Sequence, residues 1–73
     1  PENKRLALRS KEEGNTAYKA NDYATALQHY NKSHEQDPTD VVVLNNIAAV
    51  HIALKEYAKA VEVCDKALVV ALD

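Results

Sequence analysis

The chain has 73 residues with 9 Lys plus Arg, 11 Asp plus Glu and a formal net charge of −2. This length suits one small domain, and the charge offers no general attraction to nucleic acid or to an anionic membrane. Its one cysteine, Cys64, excludes an internal disulfide and favours a reducing, cytoplasmic setting.

Helix-forming residues dominate the composition, with only one Gly and two Pro, which predicts an all-α fold. The sequence also repeats internally. The pattern Tyr23-Ala24-x-Ala26-Leu27 recurs 34 residues later as Tyr57-Ala58-x-Ala60-Val61. Two such units predict a single domain over residues 1–73, with repeat one at about 7–40 and repeat two at about 41–73.

Apolar residues at steps of three and four predict four helices, at about residues 3–20, 23–37, 40–54 and 57–71. Asn21 and Asp22 are expected to end the first helix and to cap the second. Asp37-Pro38 then stops the second helix, and Thr39 or Asp40 caps the third. Because the connections are short, consecutive helices are expected to be antiparallel. The predicted architecture is a right-handed α-solenoid fragment with the odd-numbered helices on its concave side.

Small residues are expected where helices approach most closely, with large ones around them. The small set is Gly14, Ala17, Ala26, Ala48, Ala60 and Ala67, and the large set is Tyr23, Tyr30, Leu44, Ile47 and Tyr57. Cys64 falls on the inward face of the fourth helix. This position predicts a buried small apolar residue and not a reactive thiol.

The fourth helix is more apolar than a solvated terminal helix needs to be. From Val61 to Leu72 it is still too short and too charged to span a bilayer, which needs about 20 apolar residues. Repeat arrays normally end in a polar capping helix. Two alternatives follow: a further repeat or cap belongs after this helix, or the helix pairs with a second copy to form a homodimer. The start at Pro1, without Met, favours an excised or engineered piece of a longer protein.

Several motifs resemble the signature of the tetratricopeptide repeat family over essentially the whole chain. They are Gly14-x-x-x-Tyr18, Tyr23-x-x-Ala26, Tyr30 and Asp37-Pro38. More narrowly, Lys11-Glu12-x-Gly14-Asn15-x-Ala17-Tyr18-Lys19 and Asn46-x-Ala48-Ala49-Val50 resemble the middle repeat domain of the Hop-type co-chaperones, which organise chaperones.

That resemblance implies an adaptor that binds the acidic C-terminal peptide of a ninety-kilodalton or seventy-kilodalton heat-shock protein. In the family a carboxylate clamp holds the terminal Asp of a Met-Glu-Glu-Val-Asp tail, and the matching residues here are Lys11, Asn15 and Asn46. Tyr18 matches an aromatic residue that contacts an apolar side chain of the peptide. The family adds a Lys and an Arg from a third repeat, and these have no counterpart in residues 1–73. We therefore expect affinity to fall at least about tenfold.

The residue types suit this chemistry. Lys11 and Asn15 lie four residues apart and so share one helix face. An ammonium and amide N–H groups satisfy a carboxylate with bonds of about 1.5–3 kcal/mol each. A mid-helix Asn forms helix poorly, which favours a specific role for Asn15 and Asn46. Asn45 points about 100° away from Asn46 and is expected on the surface.

Other chemistry finds little support. The histidines at positions 29, 34 and 51 lack the spacing of a helical metal pair, and neither a nucleophile arrangement nor a phosphate loop is present, so we expect no metal site, no cofactor and no enzyme. The alternative function is a structural or engineered module that self-associates through its last helix.

Overall fold

The computed structural model describes residues 2–72, and these residues form four α-helices. The helices are α1 (Glu2–Lys19), α2 (Tyr23–Gln36), α3 (Val41–Ala53) and α4 (Tyr57–Leu72). Each boundary lies within one residue of its predicted position. Pro1 and Asp73, the outer limits of the predicted domain, lie outside the described residues. The division into repeats at about residue 40 stays a prediction.

Carboxylate caps and left-handed residues define the turns between the helices. Asp22 caps α2 by accepting a hydrogen bond from the Thr25 backbone, and Asp40, rather than Thr39, caps α3. Asn21 and Lys55 end α1 and α3 with φ angles of 62° and 63°. Left-handed residues allow the chain to reverse directly after a helix, which explains the short antiparallel connections.

The core lies between neighbouring helices, with α1 against α2, α2 against α3 and α3 against α4. Its largest fully buried side chains belong to Tyr30, Leu44, Val43 and Val50. The small residues predicted at close approaches are buried, except Ala17, which is half-buried. Of the large residues predicted around them, Tyr30, Leu44 and Ile47 are buried, so the packing prediction is confirmed for these positions.

Buried and half-buried polar contacts join α1 to the last turns of α2. The Ser33 hydroxyl donates to the Ala7 carbonyl at 2.7 Å, and the Ser10 hydroxyl donates to Gln36 Oε1 at 2.9 Å. Since buried polar groups stabilise only when they are paired, these bonds explain how Ser33 is tolerated in the interior. They also fix α1 relative to α2.

Two packing predictions for α4 are wrong. Tyr57, expected in the core, is 60% exposed, and Cys64, expected to be buried, is exposed. The inward face of α4 runs through Ala60 and Ala67, with Val63 and Val70 beside them. Cys64 follows Val63 by one residue, a rotation of about 100°, which carries it off this face.

The outer face of α4 exposes several large apolar side chains, among them Val61, Leu68 (59% exposed) and Leu72 (79% exposed). Cys64 and Leu68 also line an open groove of about 250 Å³ that α4 forms with Val41 and Asn45 of α3. Within residues 2–72, no helix is long and apolar enough to cross a membrane.

Candidate functional site

A cavity of about 140 Å³ opens where α1, α2 and α3 meet. Its walls are Asn15 and Tyr18 from α1, Tyr30 from α2, and Asn46 and Ala49 from α3. Three of the four predicted site residues, Asn15, Asn46 and Tyr18, therefore share one cavity. An anion or a small side chain placed there would meet amide groups and aromatic rings together.

Asn15 is the centre of a hydrogen-bond network in this cavity. Its Oδ1 accepts from the Tyr30 hydroxyl at 2.5 Å and from Asn46 Nδ2 at 3.4 Å. Both donors approach the same oxygen, so the amide nitrogen of Asn15 is turned away from them. That N–H₂ group is left as a donor for a ligand.

The position of Tyr30 depends on the absence of a side chain at Gly14. A Cβ placed on Gly14 would lie 2.6 Å from both Cδ1 and Cε1 of the Tyr30 ring. The Tyr30 ring therefore lies close against α1 at Gly14, and its hydroxyl reaches the next residue, Asn15. Burial raises the pKa of the Tyr30 phenol above its ordinary value of 10.0, and the neighbouring Tyr18 raises it further. The phenol thus stays a hydrogen-bond donor at neutral pH.

Tyr18 forms the apolar wall of the cavity. Its ring packs edge-on against that of Tyr23, with the centroids 5.5 Å apart and the planes at 66°. Such an aromatic pair prefers this edge-to-face arrangement and restrains both rings. Tyr18 is half-buried, so part of the ring remains open to a ligand.

Lys11 lies one turn before Asn15 on α1, but it does not line the cavity. Its Nζ forms an ion pair with Asp40 Oδ2 at 3.3 Å, and the two side chains are 21% and 24% exposed. A ligand carboxylate would have to compete with Asp40 for this ammonium. Asp40 also holds the first turn of α3 through Oδ1, which accepts from the Val42 backbone at 2.9 Å.

Three features of the site were not predicted from the sequence: the hydroxyl of Tyr30, the Ala49 wall and the pairing of Asp40 with Lys11. Tyr30 had been interpreted only as packing. The spacing within α1 shows that Lys11 and Asn15 share a face, but it contains no signal for partners on α2 or α3. Asn45, by contrast, is exposed as predicted.

One of the three histidines, His51, takes a structural position. His51 is buried in α3, and its Nδ1 lies 3.0 Å from Glu56 Oε1. The hydrogen bonds from His51 and then from Lys59 lower the pKa of the Glu56 carboxyl. Across the part of the chain that the structure describes, no group of three His, Cys, Asp or Glu residues could hold a metal ion.

Sequence comparison places the chain among repeat proteins. The profile described as tetratricopeptide repeat matches residues 17–72. The Hsp70-Hsp90 organizing protein of Triticum aestivum is 48% identical over 62 residues, which are 85% of this chain and 11% of that protein. Stress-induced-phosphoprotein 1 of Caenorhabditis elegans is 42% identical over 62 residues, 85% of this chain and 19% of that protein. The chain thus spans only a tenth to a fifth of these relatives.

Two solved structures share the fold. The N-terminal domain of stress-induced protein-1 from C. elegans has a TM-score of 0.91 and 40% identity, over 93% of this chain and 54% of that one. The first tetratricopeptide repeat domain of Spaghetti (RPAP3), bound to the HSP90 peptide SRMEEVD, has a TM-score of 0.89 and 33% identity, over 92% and 53%. Both neighbours are nearly twice as long as the matched region.

Proposed function

Because this chain belongs to the tetratricopeptide repeat family, we propose that it serves as part of a co-chaperone adaptor that binds the acidic C-terminal peptide of a heat-shock chaperone. Asn15, Asn46 and Lys11 would hold the terminal carboxylate, and Tyr18 would contact an apolar side chain of the peptide. Relatives named as Hsp70-Hsp90 organizing proteins, and a neighbour bound to an HSP90 peptide, support this proposal.

The observation that carries the proposal is the meeting of Asn15 and Asn46 across two helices. Their side chains lie 3.4 Å apart at one cavity, although they are 31 residues apart in the chain. Buried or half-buried amides are normally paired with each other or with backbone, and here both side-chain bonds to Asn15 are made at Oδ1 and not at Nδ2. A carboxylate is an acceptor that suits such a donor.

Lys11 supplies the positive charge that an amide pair lacks. A ligand carboxylate that replaced Asp40 on the ammonium would exchange one ion pair for another, so the net gain is small. We expect specificity for a carboxylate to come mainly from the amides, and Lys11 to contribute a salt-dependent part of the affinity.

Titration calorimetry tests the proposal with the peptide SRMEEVD as the free acid and as its C-terminal amide. The free acid should bind more tightly by at least about tenfold, since a charge-assisted hydrogen bond contributes about 1.5–3 kcal/mol. Equal affinity of the two peptides would refute the carboxylate clamp.

Two asparagine variants provide a matched comparison. The Asn46→Ala variant should lose most of the preference for the free acid, because the substitution removes one amide donor and lets the Asn15 amide rotate. Asn45→Ala changes the same residue type one position earlier on α3, where the side chain is exposed and outside the cavity. It should bind both peptides as the unmodified chain does.

The exposed apolar face of α4 favours a second candidate, a module that self-associates through this helix. Sedimentation at several concentrations would show a rising mass. Leu68→Gln should reduce that association, whereas Lys66→Gln, on the opposite side of α4, should not. A chain that stays monomeric at high concentration would exclude this candidate.

A further inference from the structure

We infer that Tyr30 is a positioning residue for the peptide site, whose hydroxyl bonds Oδ1 of Asn15 and, together with Asn46, holds the amide so that its N–H₂ group is left for a carboxylate. This inference rests on the proposed function and deepens it. It concerns a residue that does not itself need to touch the ligand.

An asparagine amide can present either of two groups to a ligand, and the two have opposite effects on an anion. The N–H₂ group donates to a carboxylate, whereas Oδ1 repels it. A half-turn about the last side-chain bond exchanges them, and the two orientations have nearly the same shape. Recognition by Asn15 therefore requires something that distinguishes oxygen from nitrogen.

Asn46 supplies that distinction, because its N–H₂ group can only donate, whereas the Tyr30 hydroxyl can donate or accept and instead fixes the place of the amide. The Tyr30 hydroxyl lies 2.5 Å and Asn46 Nδ2 lies 3.4 Å from Oδ1 of Asn15. If the amide turned over, Asn46 would face another N–H₂ group and its donor would lose its acceptor. The phenol bond is the shorter of the two and comes from a side chain that is only 2% exposed. Tyr30 thus provides the more rigid part of the restraint.

The hydroxyl itself cannot move away, because its ring is confined. Gly14 lies close against the ring, and Tyr30 belongs to the buried core cluster that also contains Val43 and Leu44. A phenol is protonated throughout the neutral range, and burial raises the pKa of this one further above its ordinary value. Position and protonation state both favour a fixed donor to Asn15.

Tyr30→Phe tests this role, and Tyr23→Phe is its matched control. Both substitutions remove a hydroxyl from α2 that donates to an asparagine, but Tyr23 bonds the turn residue Asn21, at 3.1 Å. With SRMEEVD as free acid and as amide, Tyr30→Phe should lower the affinity for the acid by about tenfold and leave that for the amide nearly unchanged. Tyr23→Phe should change neither. If the role of Tyr30 were purely structural, Tyr30→Phe would weaken the binding of both peptides alike.

Side-chain ¹⁵N relaxation of Asn15 in the free protein tests the restraint without a ligand. The N–H₂ group should be ordered in the unmodified chain and in Tyr23→Phe, and mobile in Tyr30→Phe. Equal order in all three proteins overturns the inference, as does an unchanged preference for the acid in Tyr30→Phe. If the unmodified chain does not distinguish acid from amide, the proposed function fails, and the ligand role of Tyr30 fails with it.

Discussion

Replacing Gly14 by Ala adds one methyl group at the point where α1 and the Tyr30 ring are closest. The new Cβ would lie 2.6 Å from two ring carbons. Carbon atoms in favourable contact are about 3.5–4.0 Å apart, so either the ring or the helix must move by about 1 Å. Tyr30 is buried and its hydroxyl is bonded to Asn15, which leaves the ring little room to withdraw.

Two opposing terms decide the size of the effect. Overpacking a core site costs about 1–3 kcal/mol, and the confined ring places Gly14→Ala near the upper end. Ala is better than Gly in a helix interior by about 1 kcal/mol. We expect the free energy of unfolding to fall by about 2 kcal/mol. In a domain of this size the melting temperature would then drop by about 8–16 °C.

Circular dichroism during urea titration and heating measures this change. The control compares Glu13→Ala with Glu13→Gly at the exposed neighbouring position of α1. The difference in stability between these two variants measures the helix propensity of Ala relative to Gly alone. Introducing Gly14→Ala into a Tyr30→Leu background removes the opposing ring. There we expect the substitution to become neutral or stabilising by up to about 1 kcal/mol.

The reasoning is refuted if Gly14→Ala stabilises the otherwise unmodified chain. It is also refuted if the loss is the same with Tyr30 and with Leu at that position, because the effect then does not come from the ring. In either case the close approach would not be what selects a glycine here.

Three further outcomes are expected. The Asp40→Asn variant should bind SRMEEVD about two- to fivefold more tightly than the unmodified chain in calorimetry at low salt. Asn still caps α3, but it no longer forms the ion pair with Lys11, which contributes about 0.5–1 kcal/mol. Weaker binding would contradict this prediction. Lys55→Gly should raise the melting temperature by about 4–8 °C, since a left-handed residue with a Cβ costs about 1 kcal/mol, while Lys55→Ala should give no gain. Finally, because the pKa of Tyr30 is raised in the folded chain, the unfolded chain releases the phenol proton at a lower pH. The stabilisation that Tyr30 contributes through this shift is therefore complete below about pH 10 and is lost as the pH rises through the pKa of the folded state. Melting curves from pH 8 to pH 11 should show a smaller decline in Tyr30→Phe than in the unmodified chain, and an equal decline would contradict the prediction.

The candidate site could be predicted from the sequence only in part. The positions of Lys11, Asn15 and Asn46 came from a resemblance to a family motif, and the structure places both asparagines and Tyr18 at one cavity. It also separates Lys11 from that cavity and pairs it with Asp40. Whether these residues bind a peptide stays a prediction.

The sequence by itself determined the four helices and the internal repeat and narrowed the N-cap of the third helix to Thr39 or Asp40, because these features follow from local rules. Apolar steps of three and four define a helix, and Asp22 and Asp40 satisfy backbone groups within three residues of themselves. Only the tertiary structure decided which side chains meet between helices, since this depends on how each helix is rotated against its neighbours. That rotation brings the Tyr30 hydroxyl to Asn15, and it turns Cys64 and Tyr57 outward although their spacing is compatible with burial.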